Sequence, residues 1–271
     1  PNGDIFEGQL VNGERQGDGA VRYSNGDTYL GQFLNDIRQG QGRFEGVDGY
    51  IYVGEWTEGR IEGTGTVTYP DGSVYVGTFR NDLAHGRGSI TYQDGSTYEG
   101  DWADGVIQGA GKAAYANGAV YEGEFRNGKN HGMGKVSYPD GYQYVGEWRD
   151  GLQHGGGITT FPDGAIYEGE FVEGLREGGG AISMTDGFEY DGGWLDGEIH
   201  GAGNAKYANG DVYQGNFLKG QRHGEGRMEY ASGAVYDLSL IRIVRGRRGT
   251  VSTSRGGASE YREGSKTIQR E

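Results

Sequence analysis

The chain has 271 residues, of which 58 are Gly and none is Cys, and it carries a formal net charge of −14. That much glycine, with only 34% apolar residues, excludes a conventional two-domain enzyme core, in whose helices and strands glycine is costly. Four Pro and no Gly at every third position exclude collagen, and 12% aromatic residues argue against featureless disorder.

Aromatic-x-Gly triplets recur at Phe6, Tyr29, Tyr52, Tyr75, Tyr98, Tyr121, Tyr144, Tyr167, Tyr190 and Tyr213, each step 23 residues with no insertion. Ten repeats therefore run from Phe6 to Val235, and Tyr236 opens a partial eleventh. Positions are numbered from the first aromatic of each repeat. Gly holds positions 3, 12, 14 and 21 in all ten copies and position 8 in eight, Asp36 and Asp82 being the exceptions, which places 48 of the 58 Gly. Position 5 reads Leu10, Phe33, Trp56, Phe79, Trp102, Phe125, Trp148, Phe171, Trp194 and Phe217, so Trp and Phe alternate with a period of two repeats.

Each repeat contains two period-2 segments, which predict two short antiparallel strands. The first runs from about position 22 into position 5 of the next repeat, and the second from position 12 to position 18. Between repeats lie turns such as Pro70-Asp71-Gly72 and Pro139-Asp140-Gly141. Proline in front of Asp-Gly selects a three-residue loop, a type I turn with Gly left-handed, over a two-residue turn. That loop sets Gly111 opposite Gly123. A longer loop over positions 6 to 11 sets Trp102 opposite Gly109 and Gly100 opposite Gly111. One face then gathers positions 1, 3, 5, 12, 14, 16 and 18, with rings lying on bare glycine backbone. The other face is largely polar, and Glu99 faces Lys112 as Glu122 faces Lys135.

The expected fold is all-β: an elongated single-layer antiparallel meander of β-hairpins, a twisted rod about 100 Å long at about 4.8 Å per strand. Residues 1–5 form a lead-in, 6–235 the repeats, 236–244 a capping strand and 245–271 a basic, flexible tail. Phe6 and Leu10 at the start, and Leu238 and Leu240 at the finish, modify the ends.

The unit Tyr-x-Gly-x-Trp/Phe-x-x-Gly-x-x-His-Gly-x-Gly, complete in Tyr144 to Gly157, resembles the MORN repeat. The resemblance implies a single-layer sheet of hairpins used for scaffolding and protein–protein contact near membranes or cytoskeletal structures.

No catalytic set is expected. All five His (His85, His131, His154, His200, His223) stand at position 11, about 10 Å apart along the sheet and beyond the reach of one metal ion. They read as loop-closing hydrogen-bonding groups for which Gln16, Gln39 and Gln108 substitute. No metal and no cofactor are expected, and no segment has the run of apolar residues that spans a membrane.

The aromatic face is the candidate site. Trp56, Phe79, Trp102, Phe125, Trp148, Phe171 and Trp194, with Tyr75, Tyr98, Tyr121, Tyr144 and Tyr167, are the expected anchors of a groove for a protein partner, an extended segment or helix, or for a second copy. Residues 238–271 carry net +5 and the rest of the chain −19. The acidic repeats disfavour phospholipid and nucleic acid. Arg242, Arg245, Arg247 and Arg248 are the candidates for an anionic surface. A peripheral, phospholipid-associated tethering module is the alternative reading, and an anchoring or regulatory fragment of a larger protein is a further one. The expected setting is intracellular, next to cytoskeleton or membrane. A secreted or periplasmic origin after signal removal is the alternative, since Pro1 is not preceded by Met.

Overall fold

A computed structural model describes residues 3–240. Twenty-one strands, β1 to β21 in chain order, form one open antiparallel sheet in which each strand pairs with its neighbours in sequence. Among the described residues there is no helix. The sheet begins with β1 (Ile5–Val11) and ends with β21 (Val235–Leu240). Repeat five shows the pattern in β9 (Thr97–Ala103) and β10 (Val106–Ala114), followed by β11 (Val120–Arg126) of repeat six.

The turn between repeats has the expected form. At Pro70-Asp71-Gly72, Tyr69 N–H donates to Ser73 O (2.8 Å) and Gly72 N–H to Tyr69 O (2.9 Å). Gly72 is left-handed at φ 86°, a conformation that costs glycine nothing. Asp71 Oδ1 accepts Ser73 N–H at 2.8 Å, which locks the loop. The resulting register sets Gly111 opposite Gly123 and Lys112 opposite Glu122.

The loop inside each repeat differs from expectation. It is a two-residue turn at positions 7 and 8, with Asp104 at φ 48° and Gly105 at φ 83°, the twist-matched geometry for a tight hairpin. The second strand thus starts at position 9, three residues early, and Trp102 faces Ile107 rather than Gly109. A bulge between Ile107 and Gly111 absorbs the extra residues, so that Gly100 still faces Gly111 and Glu99 still faces Lys112. Gly109, left-handed at φ 90°, makes the bulge, and it pairs across with Phe125 of the next repeat. The position-4 side chain caps the amide that the bulge exposes: Ala110 N–H donates to Asp101 Oδ2 (3.0 Å) and Thr64 N–H to Glu55 Oε1 (3.1 Å). Part of the acidity of the chain is therefore architectural.

Consecutive repeats are also tied at the hairpin tips. Gly105 N–H donates to Ala84 O of the preceding repeat at 2.8 Å. Position 11 does the rest, as Gln108 Oε1 accepts Asn127 N–H (3.1 Å) and His85 Nδ1 accepts Asp104 N–H (3.3 Å). His and Gln thus close a loop, but it is the next repeat's loop. Asp36 and Asp82, the two departures from Gly at position 8, each reach back to the preceding strand. Arg15 N–H donates to Asp36 Oδ1 (2.9 Å) and Ile61 N–H to Asp82 Oδ1 (2.7 Å), which offsets their left-handed backbones at φ 67°.

Candidate interaction surface

The core of this one-layer sheet is its aromatic face. Tyr98 lies over the glycines of its own hairpin, and a Cβ built on Gly111 would stand 2.5 Å from its ring. Its hydroxyl donates to Asp101 O at 2.9 Å. The same bond recurs at Tyr121, Tyr144 and Tyr167, which donate to the carbonyls of Glu124, Glu147 and Glu170. Each of these tyrosines meets two position-5 rings edge-on: Tyr98 meets Trp102 at 5.6 Å and Phe125 at 5.0 Å, and Tyr121 meets Phe125 at 5.0 Å and Trp148 at 5.2 Å. The chain of edge-on ring contacts is unbroken from Phe6 to Tyr213. Trp102, Trp148 and Trp194 also donate from Nε1 to Gly88 O, Gly134 O and Gly180 O of the preceding repeat at 2.9–3.2 Å.

The structure brings the twelve predicted anchors together as this ladder, and it also buries them. Tyr75, Tyr98, Tyr121, Tyr144 and Tyr167 are 0–2% exposed, and Trp56, Phe79, Trp102, Phe125, Trp148, Phe171 and Trp194 are 3–9% exposed. The face is not an open apolar groove, because the rings of adjacent repeats cover one another. Burial raises the phenol pKa of Tyr98 to about 12, and the carboxylate of Asp101 adds to that shift.

Accessible side chains flank the ladder on two sides. On the side of the turns between repeats stands position 18, where Tyr92, Tyr115 and Tyr138 are 37–41% exposed. Position 22 alternates with it on the same face: Tyr142 meets Tyr138 at 5.5 Å and Phe161 at 6.1 Å. On the side of the hairpin tips stands position 10. Arg38 Cζ lies 4.1 Å from the centroid of Trp56 and Arg176 Cζ 4.3 Å from that of Trp194. Sequence reasoning missed position 10 because it took positions 6 to 11 for a loop. The signal was present in the two-residue pairs Asp104-Gly105 and Asn127-Gly128, which favour a tight turn. Between repeats eight and ten, Phe188, Ile199, Tyr207, Arg222, Met228 and Tyr230 line a shallow groove of about 700 Å³ on this face.

The opposite face exposes charged pairs such as Lys206–Glu189 (3.3 Å) together with Leu30, Val53 and Val76. Arg242, Arg245, Arg247 and Arg248 lie outside the described residues, as do residues 241–244 of the expected capping strand. Among the described residues no group of three or more His, Asp or Glu is placed to hold a metal ion, and no helix is long and apolar enough to cross a membrane.

No curated protein matches the chain. Among solved structures, the chain is similar to the TCP10 domain of Danio rerio CPAP in complex with a peptide of STIL, at 15% identity and TM-score 0.33, covering 88% of this chain and 99% of that one. It is also similar to the TCP domain of Drosophila melanogaster SAS-4 in complex with a proline-rich motif of Ana2, at 12% identity and TM-score 0.33, covering 73% and 88%. The MORN repeat profile matches residues 6–28, 29–49, 52–74, 75–97, 98–120, 121–141, 144–166, 167–187, 190–212 and 213–235. With ten consecutive copies spanning most of its length, the chain belongs to the MORN-repeat family.

Proposed function

We propose that the chain is a non-catalytic scaffold that holds a protein partner along its aromatic face. One observation carries this reading: beside a closed ladder of rings, the large side chains Tyr92, Tyr115 and Tyr138 remain more than a third exposed on the same face. Exposed aromatic rings in a row on a rigid backbone are suited to protein contact, since they bring area at little entropic cost. The buried ladder supplies the floor and the rigidity, and the flanking rings supply the contact. Its family is in general non-enzymatic, which agrees with a scaffold.

The partner is expected to be an extended segment or a helix laid across the strands. Asp71, Asp94 and Asp140 in the adjoining turns oppose docking on anionic lipid, which repels carboxylates.

Affinity capture from native extract with a Tyr92→Ser/Tyr115→Ser/Tyr138→Ser variant tests the reading. Replacing Trp102 or Trp148 would instead dismantle the ladder. Partners held by the parent and lost by the variant are the expected result. A Glu99→Lys/Glu122→Lys variant of the opposite face serves as control. Capture that survives the tyrosine changes and fails with the control would place the contact on the other face.

A further inference from the structure

The margin of the sheet formed by the turns between repeats has a composition that folding alone does not require. Position 18 presents four consecutive tyrosines, Tyr69, Tyr92, Tyr115 and Tyr138, one per repeat. Two residues after most of these rings stands an aspartate. Each of Asp71, Asp94 and Asp140 uses Oδ1 to accept a backbone N–H within its own turn, at 2.8 Å. None of the three takes part in an ion pair among the described residues. Positions 18 to 22 contain no Lys or Arg in any repeat, whereas the turns at the hairpin tips are flanked by Arg80, Arg126 and Arg149. The negative charge of this margin is therefore unbalanced beside the half-buried ring of Tyr69 and the exposed rings of Tyr92, Tyr115 and Tyr138. The carboxylates reach those rings electrostatically: burial chiefly raises the phenol pKa of Tyr69 and Tyr92, and Asp71 and Asp94 raise it further.

A further observation concerns the same stretch. At position 10 an arginine covers a ring in repeats one, two, eight and ten, as Arg38 covers Trp56, but repeats three to seven carry Ile61, Ala84, Ile107, Asn130 and Gln153 there. The middle of the face has rings and carboxylates without a cation of its own.

The spacing selects the ligand. Two strands per repeat set successive tyrosines about 9.6 Å apart. A polyproline-II segment advances about 9.3 Å in three residues, with its backbone carbonyls free to accept hydrogen bonds. We infer that the row from Tyr69 to Tyr138, with Asp71, Asp94 and Asp140, seats an extended, polyproline-II-like segment of a partner that carries Arg or Lys at every third residue. Each cation lies over one ring and against the neighbouring carboxylate, and the phenol hydroxyls donate to the segment's carbonyls. Asn117 replaces aspartate after Tyr115, so the cation seated there contributes least. The inference rests on the proposed use of the aromatic face and adds the chemistry of the partner.

Two labelled synthetic peptides of equal composition test it by fluorescence anisotropy with the full chain. One has four arginines separated by Pro-Pro, and the other has the same arginines in adjacent pairs. The evenly spaced peptide is expected to bind at least about tenfold more tightly. Tyr92→Ser/Tyr115→Ser is expected to remove that preference. Asp71→Asn/Asp94→Asn, which keeps the Oδ1 acceptor of each turn as Asn117 does, is expected to weaken binding and flatten its salt dependence. Equal affinity for the two peptides, or undiminished binding by the aspartate variant, would overturn the inference. If the serine variant still loses its natural partners while the peptides bind alike, the aromatic face stands and its selectivity for spaced cations falls.

Discussion

Tyr98 and Gly111 form a fitted pair: the phenol ring lies against the glycine backbone of the facing strand, and a Cβ there would stand 2.5 Å from the ring. The clash is with the body of a ring held on both sides by Trp102 and Phe125, so the ring cannot step aside. Gly111→Ala is expected to lower stability by about 2 kcal/mol, in the range of overpacked cores. An alanine at Gly95, where a Cβ meets nothing within 4 Å but φ is 84°, costs only backbone strain of about 1 kcal/mol. Urea denaturation of the two variants orders these costs.

The tie between repeats at position 11 predicts a second effect. Gln108→Ala removes the acceptor for Asn127 N–H and is expected to cost about 1 kcal/mol. Gln108→His is expected to restore most of it, since His85 fills the same role one repeat earlier. Hydrogen exchange at the Asn127 amide reports the loss directly, with faster exchange in the alanine variant alone.

Asp36 gives a pH dependence. The backbone hydrogen bond from Arg15 is the main cause that holds its carboxyl below the ordinary 3.8, and the Arg15 guanidinium adds to it. A lowered folded-state pKa means that its contribution is fully present above about pH 3.8 and is lost as the pH falls through the lower folded value. The melting temperature of the parent should therefore exceed that of Asp36→Asn at neutral pH, and the two should converge as acid is added. A gap that is constant down to the acid limit would contradict this.

The ladder tyrosines respond at the other end of the scale. Burial raises Tyr98 from 10.0 to about 12, and Tyr75 and Tyr167 likewise to about 12. The neutral phenol is favoured in the fold, so this stabilisation is intact below pH 10 and is lost as the pH rises towards 12. Alkaline titration followed at the phenolate absorbance should show a late group of tyrosines ionising together with loss of the sheet's circular dichroism.

Much of this was legible in sequence. A strict period of 23 fixed the number of hairpins, and Pro70-Asp71-Gly72 fixed the turn between repeats, because only a three-residue loop keeps every ring on one face. The pairing of Glu99 with Lys112 followed from that register. The loop inside the repeat was misread because a left-handed residue and a bulge cancel each other's effect on register. Trp102 slips to face Ile107, yet Gly100 still faces Gly111, and the pattern beyond the bulge looks unchanged.

The sequence by itself determined the local geometry and the face on which each side chain falls, since both depend on turn chemistry and on the two-residue period of a strand. Only the tertiary structure decided how much of that face is open. Exposure depends on how the rings of one repeat reach the next, and the edge-on contacts of Tyr98 with Phe125 and of Tyr121 with Trp148 close the ladder. That closure moves the accessible surface from Trp102 and Trp148 to Tyr92, Tyr115 and Tyr138 at its margin.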